Sequence, residues 1–121
     1  MPHVADRVKD TGTVSGTGNV TLANTSSTGY RTFAAAIGTG NTVWYCIESA
    51  AGEWEVGYGT LTSATTLTRD EVSESSNANA KVNFGGGAST AVTVFNTISA
   101  DMAKDGSFGR QTANRMNLTF Q

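Results

Sequence analysis

NTVWYCIESAAGEWEVGYGTL, residues 41–61, is the stretch that decides the fold. Two runs rich in β-branched and aromatic residues, 41–48 and 53–61, flank small and polar residues at 49–52, which is typical of a β-hairpin. In the first run both faces are apolar, so we expect a central strand. In the second, Trp54, Val56 and Tyr58 alternate with polar residues and glycine, as one face of a strand requires.

Further short strands are expected on both sides of this hairpin, and residues 85–87, three consecutive glycines, indicate a corner. Over 121 residues the chain has one Pro and 14 Gly, with frequent Thr, a composition that favours strands and turns over helices. The sequence therefore predicts an all-β fold, a small antiparallel β-sandwich or β-barrel. The additional strands are expected at 6–10, 19–23, 30–37, 65–72 and 90–95.

The length is that of a single domain with additions at both ends. We expect an extended N-terminal arm over residues 1–18, a β-sandwich domain over 19–100 and a C-terminal extension over 101–121. The Gly/Thr-rich part of the first segment is compatible with a strand as well as with an arm. Residues 116–120 alternate like a strand that pairs either with a neighbouring subunit or with its own domain.

Charge and composition exclude several classes of function. The net charge of −2 is unlike that of proteins that bind nucleic acid. No apolar run approaches the roughly 20 residues of a membrane span, and the first residues lack the apolar core of a signal peptide, so we expect synthesis in the cytoplasm. A single cysteine, Cys46, and a single histidine, His3, allow neither an intrachain disulfide nor a zinc site.

No pattern of catalytic, cofactor-binding or metal-binding residues emerges. Cys46 lies between aromatic residues, as a small buried side chain does, and His3 lies near the terminus. The glycine-rich stretches lack a phosphate-binding pattern. We interpret the remaining charges as solvated and facing outward: Glu48, Glu53, Glu55, Arg69, Asp70, Glu71 and Glu74.

Aromatic residues on adjacent strands leave two interpretations open. Trp44, Trp54 and Tyr58 are expected to stack across strands in the core, as aromatic residues of small sandwiches commonly do. The alternative is an exposed face that binds sugars.

Ordered blocks along the chain carry a resemblance to a known family. They are ADRVKD (5–10), GTV (12–14), GNVTL (18–22), GYRTF (29–33), VWYCIE (43–48), EWEVGYGT (53–60), LTRD (67–70), SSNA (75–78), VNF (82–84) and VTVF (92–95). Their order resembles a small β domain of structural proteins of tailed bacteriophages, over about residues 5–100. The segment 101–121 extends beyond that resemblance.

The resemblance implies assembly without catalysis. It suggests a virion protein made in the host bacterial cytoplasm, and within that class a capsid decoration (cement) protein, with a tail component or a host-glycan binding module as alternatives. The expected partner is the phage major capsid protein, or tail proteins, with no nucleic acid and no membrane, and a homotrimer is expected. Expected capsid contacts are Arg7, Lys9, Val14 and Val20, and expected subunit contacts are Phe108, Arg110, Arg115, Leu118 and Phe120.

Overall fold

A computed structural model describes residues 2–25 and 29–97, and their secondary structure is nearly all β. This confirms the predicted fold class. Seven strands and one short helix follow in chain order: β1 (Lys9–Gly16), β2 (Val20–Leu22), α1 (Phe33–Ala36), β3 (Thr42–Ser49), β4 (Trp54–Ser63), β5 (Thr66–Leu67), β6 (Glu71–Ser75) and β7 (Phe84–Phe95).

Six of the strands close into an antiparallel barrel in the order β3-β7-β1-β2-β5-β4, and the pairing of β3 with β4 closes the ring. β6 pairs with β4 beyond β5 and is the edge strand of the sheet. The barrel encloses a continuous apolar core to which every strand of the ring contributes. Closure leaves most backbone groups paired, which stabilises a small sheet without a disulfide.

The predicted hairpin is confirmed as β3 and β4. Its register runs from Thr42 opposite Thr60 to Glu48 opposite Trp54. The turn is closed by the amide of Gly52, which donates to the carbonyl of Ser49 over 3.1 Å. On β3, the alternating residues Val43, Tyr45 and Ile47 are completely buried, as period-two geometry predicts for an inward face.

The N-terminal segment is part of the barrel. β1 lies between β7 and β2, with Lys9 opposite Phe95 and Val14 opposite Val20. The prediction of an arm over residues 1–18 is therefore wrong for residues 9–16, because all of them pair with β7 and residues 12–14 pair with β2 as well. Val14 and Val20, expected as capsid contacts, are 2% and 0% exposed, and their side chains fill the core instead.

Within residues 30–37, where a strand was predicted, Arg31 forms an isolated bridge with Val8 and Phe33–Ala36 form the short helix α1. The Thr32 hydroxyl caps α1 by accepting the amide of Ala35 over 3.1 Å, and the three alanines that follow Phe33 favour helix. The buried Phe33 side chain fixes this turn against the core. Alternation alone could not reveal the cap.

Two other strand predictions change in extent. The single strand expected at 65–72 is divided into β5 and β6, with register shifts along β4. β7 begins at Phe84, six residues before the predicted strand, and includes the three glycines. Gly85, Gly86 and Gly87 adopt positive φ angles, so they form an irregular first part of that strand.

Candidate functional site

A cluster of ionisable side chains lies inside the barrel. The guanidinium of Arg69 holds the carboxylate of Glu55 with two hydrogen bonds, 2.9 Å from Nε to Oε2 and 2.5 Å from Nη2 to Oε1. The Tyr45 hydroxyl donates to the same Oε2 over 2.7 Å. The other three N–H groups of Arg69 reach backbone carbonyls, so all five are used; their acceptors are Gly16 at 3.0 Å, Gly18 at 3.2 Å and Val82 at 2.6 Å.

The protonation states of this cluster follow from its contacts. Burial alone raises the pKa of Glu55, but the hydrogen bonds from Arg69, the Val82 amide and Tyr45, together with the charge of Arg69, outweigh burial and hold it below its usual value. Burial, and then the charge of Glu55, raises the pKa of Tyr45. The cluster is a carboxylate, a cation and a neutral phenol with their hydrogen bonds satisfied, an arrangement that supports folding.

This cluster corrects the expectation that Glu55 and Arg69 face solvent. Their side chains are 0% and 1% exposed. Conversely, Trp54, expected in the core, is 38% exposed. Trp44 and Tyr58 form an edge-to-face pair with centroids 5.3 Å apart, but on the outward face of β3 and β4. Stacking across strands is thus observed, on the outside of the barrel.

A broad depression lies on the outer surface, has a volume of about 690 Å³ and crosses β2, β1, β7 and β3. Its floor is made of short side chains that point outward at alternate positions, and the absence of larger ones makes the surface concave. We call it the threonine groove. Its floor comprises Thr11 and Thr13 of β1, Thr21 of β2, Ala91 and Thr93 of β7, and Ala23.

A second depression of about 360 Å³ adjoins one end of the threonine groove and shares Glu48 and Thr93 with it. Here the guanidinium carbon of Arg7 lies 4.1 Å, and Nζ of Lys9 4.9 Å, from the ring centroid of Tyr30. Such contacts attract both cations to one aromatic ring. We call Arg7, Lys9, Tyr30 and Arg31 the basic corner.

The cations of the basic corner have no carboxylate partner among the described residues, where the only ion pair is that of Arg69 with Glu55. Arg7 donates to the carbonyl of Gly29 over 2.9 Å. Arg31 donates to the backbone carbonyl of Asp6 over 3.0 and 2.7 Å. Carbonyl acceptors position the guanidinium groups but leave their positive charge uncompensated.

Glu48 stands where three depressions meet. It lines the threonine groove, the depression at the basic corner and a third one of about 410 Å³ beside Cys46, Glu53 and Trp54. Its side chain is exposed and of opposite charge to the basic corner. The outer surface therefore offers positive and negative charge along one continuous concavity.

The expected contact residues are distributed unevenly. Arg7 and Lys9 do lie at this surface, whereas Val14 and Val20 are in the core. Phe108, Arg110, Arg115, Leu118 and Phe120 lie outside the described residues. Sequence reasoning missed Tyr30, Glu48 and Thr93; the only signal for the groove was the run of short side chains at alternate positions.

Within residues 2–25 and 29–97, no three His, Cys, Asp or Glu side chains are placed to hold a metal ion. No helix in those ranges has the length and apolar character needed to cross a membrane. The fold and the surface define a small closed antiparallel β-barrel with a concave outer face of mixed charge. Comparisons with protein-family models, curated proteins and solved structures gave no match.

Proposed function

We propose that this chain is a non-enzymatic structural protein of a tailed-phage virion that binds the assembled head as a capsid decoration (cement) protein. The observation that carries the proposal is the outer surface formed by the threonine groove and the basic corner. Arg7 and Lys9 have no ion pair within residues 2–25 and 29–97 and are available to a partner, whereas Glu55, Arg69 and Tyr45 are occupied with one another in the core. Such a surface suits recognition better than catalysis.

The ordered sequence blocks support the phage assignment. The block at 5–10 supplies Arg7 and Lys9 to the basic corner, and the block at 29–33 supplies Tyr30 and Arg31. The blocks at 43–48 and 53–60 build the β3–β4 hairpin. The same blocks thus account for both the barrel and its outer surface.

In this proposal the partner is the phage major capsid protein, and the decoration protein acts as a homotrimer. Three copies of one weak contact raise the effective concentration of each remaining contact, so a modest surface suffices for stable attachment. The subunit contacts are proposed in the C-terminal extension. The protein is made in the host cytoplasm and resides in the virion.

Immunogold labelling of intact virions with antibody against this protein tests the assignment. Label distributed over the head is the expected result. Label confined to the tail would replace capsid decoration by a tail component such as a baseplate, fibre or adaptor module. Unlabelled virions from a phage shown to encode the protein would overturn the whole proposal.

Binding to undecorated heads tests the surface itself. Deleting residues 1–18 would remove β1 and destroy the barrel, so point substitutions are needed. The variant Arg7→Gln/Lys9→Gln should lose most binding, because it removes two positive charges that form no ion pair in the described part of the chain. Lys81→Gln is the control, since Lys81 is exposed and lines none of the three depressions. Equal binding by all variants would show that the basic corner does not contact the capsid.

A second candidate, a host-glycan binding module, is favoured by the exposed Trp54 beside a depression of about 410 Å³. Sugar rings stack on exposed indoles through their C–H faces. A glycan array read together with tryptophan quenching tests this candidate. Saturable binding lost in Trp54→Ala would support it, and no binding to any glycan would leave assembly as the function.

A further inference from the structure

The threonine groove and the depression at the basic corner together form one outer concavity. We infer that this outer concavity receives an extended polypeptide segment of the partner, with an acidic side chain at the basic corner and a basic side chain at Glu48. The inference rests on the proposed function, because it names the chemistry of the partner at the same surface. It specifies a segment of mixed charge. A partner surface that is strongly acidic or strongly basic throughout would complement only one of the two sites, the basic corner or Glu48.

The arrangement of charge carries the first step. Arg7, Lys9 and Arg31 have no ion pair within the described residues, and Arg7 and Lys9 share a depression with the oppositely charged Glu48. Although they line the same depression, neither Lys9 nor Arg7 approaches Glu48 within ion-pair distance. A ligand that lies between them can therefore meet both charges.

The register supplies the spacing. Lys9 of β1 is opposite Phe95 of β7, whereas Glu48 of β3 is opposite Thr93 of β7. Their Cα atoms are thus separated by two strand spacings and by two residues along the strands, roughly 12 Å for ordinary sheet dimensions. An extended chain covers this distance in three or four residues. The complementary charges of the partner should have that spacing.

The form of the surface favours an extended segment. The floor of the threonine groove consists of Thr and Ala side chains on three neighbouring strands, so a narrow chain can lie on it without displacing large groups. Over Val92–Phe95, β7 pairs with both β1 and β3, and over Gly12–Val14, β1 pairs with both β7 and β2, so these backbone groups are not available to an added strand. Recognition must use side chains, principally threonine hydroxyls and the charges at the end.

Nucleic acid fits this surface less well. A polyanion placed over Arg7 and Lys9 would continue past Glu48, where its phosphates would be repelled. The net charge of −2 for the whole chain adds to that repulsion at long range. A polypeptide can change the sign of its charge within a few residues, and this is the property that the surface selects.

The test uses the full-length ¹⁵N-labelled protein and three nine-residue peptide probes that differ only in charge: GTETSTKTG, GTKTSTKTG and GTETSTETG. NMR titration at low ionic strength should show shifts at Lys9, Glu48 and Thr93, with the Glu/Lys probe binding about tenfold more tightly than the Lys/Lys probe. Because the Glu/Glu probe places its second carboxylate at Glu48, it should also bind more weakly than the Glu/Lys probe.

A charge exchange makes the test specific. Glu48→Lys should reverse the preference, so that the Glu/Glu probe binds about tenfold more tightly than the Glu/Lys probe. Thr93→Trp should abolish binding of all probes by filling the groove, whereas Thr62→Trp, at an exposed position of β4, should leave it unchanged. Thermal unfolding of each variant checks that the barrel is intact.

Two results would overturn the inference: shifts that map outside the concavity, or a probe preference that Glu48→Lys does not change. Tighter binding of a single-stranded DNA oligomer than of any peptide, with shifts at the same residues, would replace the polypeptide by nucleic acid. If no peptide binds but immunogold label covers the head, this inference is overturned and the proposed function stands. If the peptides bind but the virions are unlabelled, the proposed function is overturned and the peptide-binding surface stands.

Discussion

Arg69 and Glu55 meet fork to fork inside the barrel, joined by bonds of 2.9 and 2.5 Å although 14 residues separate them in sequence. Glu55 belongs to β4, and Arg69 lies between β5 and β6. Because the remaining donors of Arg69 hold the carbonyls of Gly16, Gly18 and Val82, the pair ties the β1–β2 turn and the approach to β7 to the hairpin. It closes one end of the core.

Glu55→Gln should lower the free energy of unfolding by about 3–5 kcal/mol at pH 7, because the buried Arg69 cation would lose its counterion. Urea denaturation measures the change. Glu71→Gln, on the exposed edge strand, is the control and should stay within about 0.5 kcal/mol of the wild type. Equal small losses in both variants would show that the pair contributes little.

The buried Asp10 should make stability depend on pH in the direction opposite to Glu55. Burial, the largest cause, raises the pKa of Asp10 above 3.8, whereas the Phe33 amide, which donates to Oδ2, and the nearby backbone of Thr25 and Asn24 act to lower it. A raised folded pKa means that Asp10 stabilises the fold below its unfolded pKa and that this contribution disappears as pH rises through the folded value. Glu55, with its lowered pKa, loses its contribution as pH falls.

We therefore expect Asp10→Asn to be more stable relative to the wild type at pH 7 than at pH 3.5. The asparagine cannot ionise, yet its side-chain oxygen can still accept the amide of Phe33, which lies 3.1 Å from Oδ2 in the wild type. Urea denaturation at the two pH values measures the difference, with the exposed Asp6→Asn as control. An identical pH dependence for wild type and Asp10→Asn would contradict the prediction.

Gly59→Ala should lower the free energy of unfolding by about 1–3 kcal/mol, since a Cβ at this inward position of β4 would overlap the carbonyl oxygen of Thr68. The obstacle is backbone, so only a displacement of the segment that follows β5 could relieve it. Gly18→Ala, where the nearest atom would be 3.3 Å away, should cost less. Thermal unfolding of both variants compares them, and equal melting temperatures would refute this account of the packing.

Cys46 should react slowly with thiol reagents in the folded protein. Burial, and then the charge of Glu48, raises the pKa of its thiol from 9.0 to about 11, so the reactive thiolate at pH 8 is about 100-fold scarcer. As the chain has one cysteine, the rate of reaction with a disulfide reagent reports this site alone. The reference is the same protein unfolded in urea. Similar reaction rates in the folded and unfolded protein would contradict the raised pKa of Cys46.

Local sequence was a good guide where a strand depends on its own residues. The β3–β4 hairpin followed from alternation and a small polar turn, and β2 fell within its predicted limits. The prediction failed at residues 30–37, where the Thr32 cap and the burial of Phe33 produced a helical turn. It also placed residues 9–16 in an arm, with a strand as the alternative, because the periodicity of this segment is weak and its strand depends on pairing with β7 and β2.

The candidate surface could be predicted only in part. Arg7 and Lys9 were expected to meet a partner because they are charged and close to the terminus, and they lie at the basic corner. Their convergence with Tyr30 and Glu48 was not predictable, since it depends on which strands become neighbours. The groove itself arises from short side chains of β1 and β2, which follow each other in the chain, and of β7, which comes much later.

By itself, the sequence determined the all-β class and the central hairpin, because these depend on residue type and on a period of two within short segments. Only the tertiary structure decided which face of β4 is inside. Trp54 faces outward and Glu55 inward because the charge of Glu55 is compensated by Arg69, Tyr45 and the Val82 amide, which reach it from three other places in the chain. Burial of a carboxylate is stable only with such partners, and closure of the barrel is what brings them together.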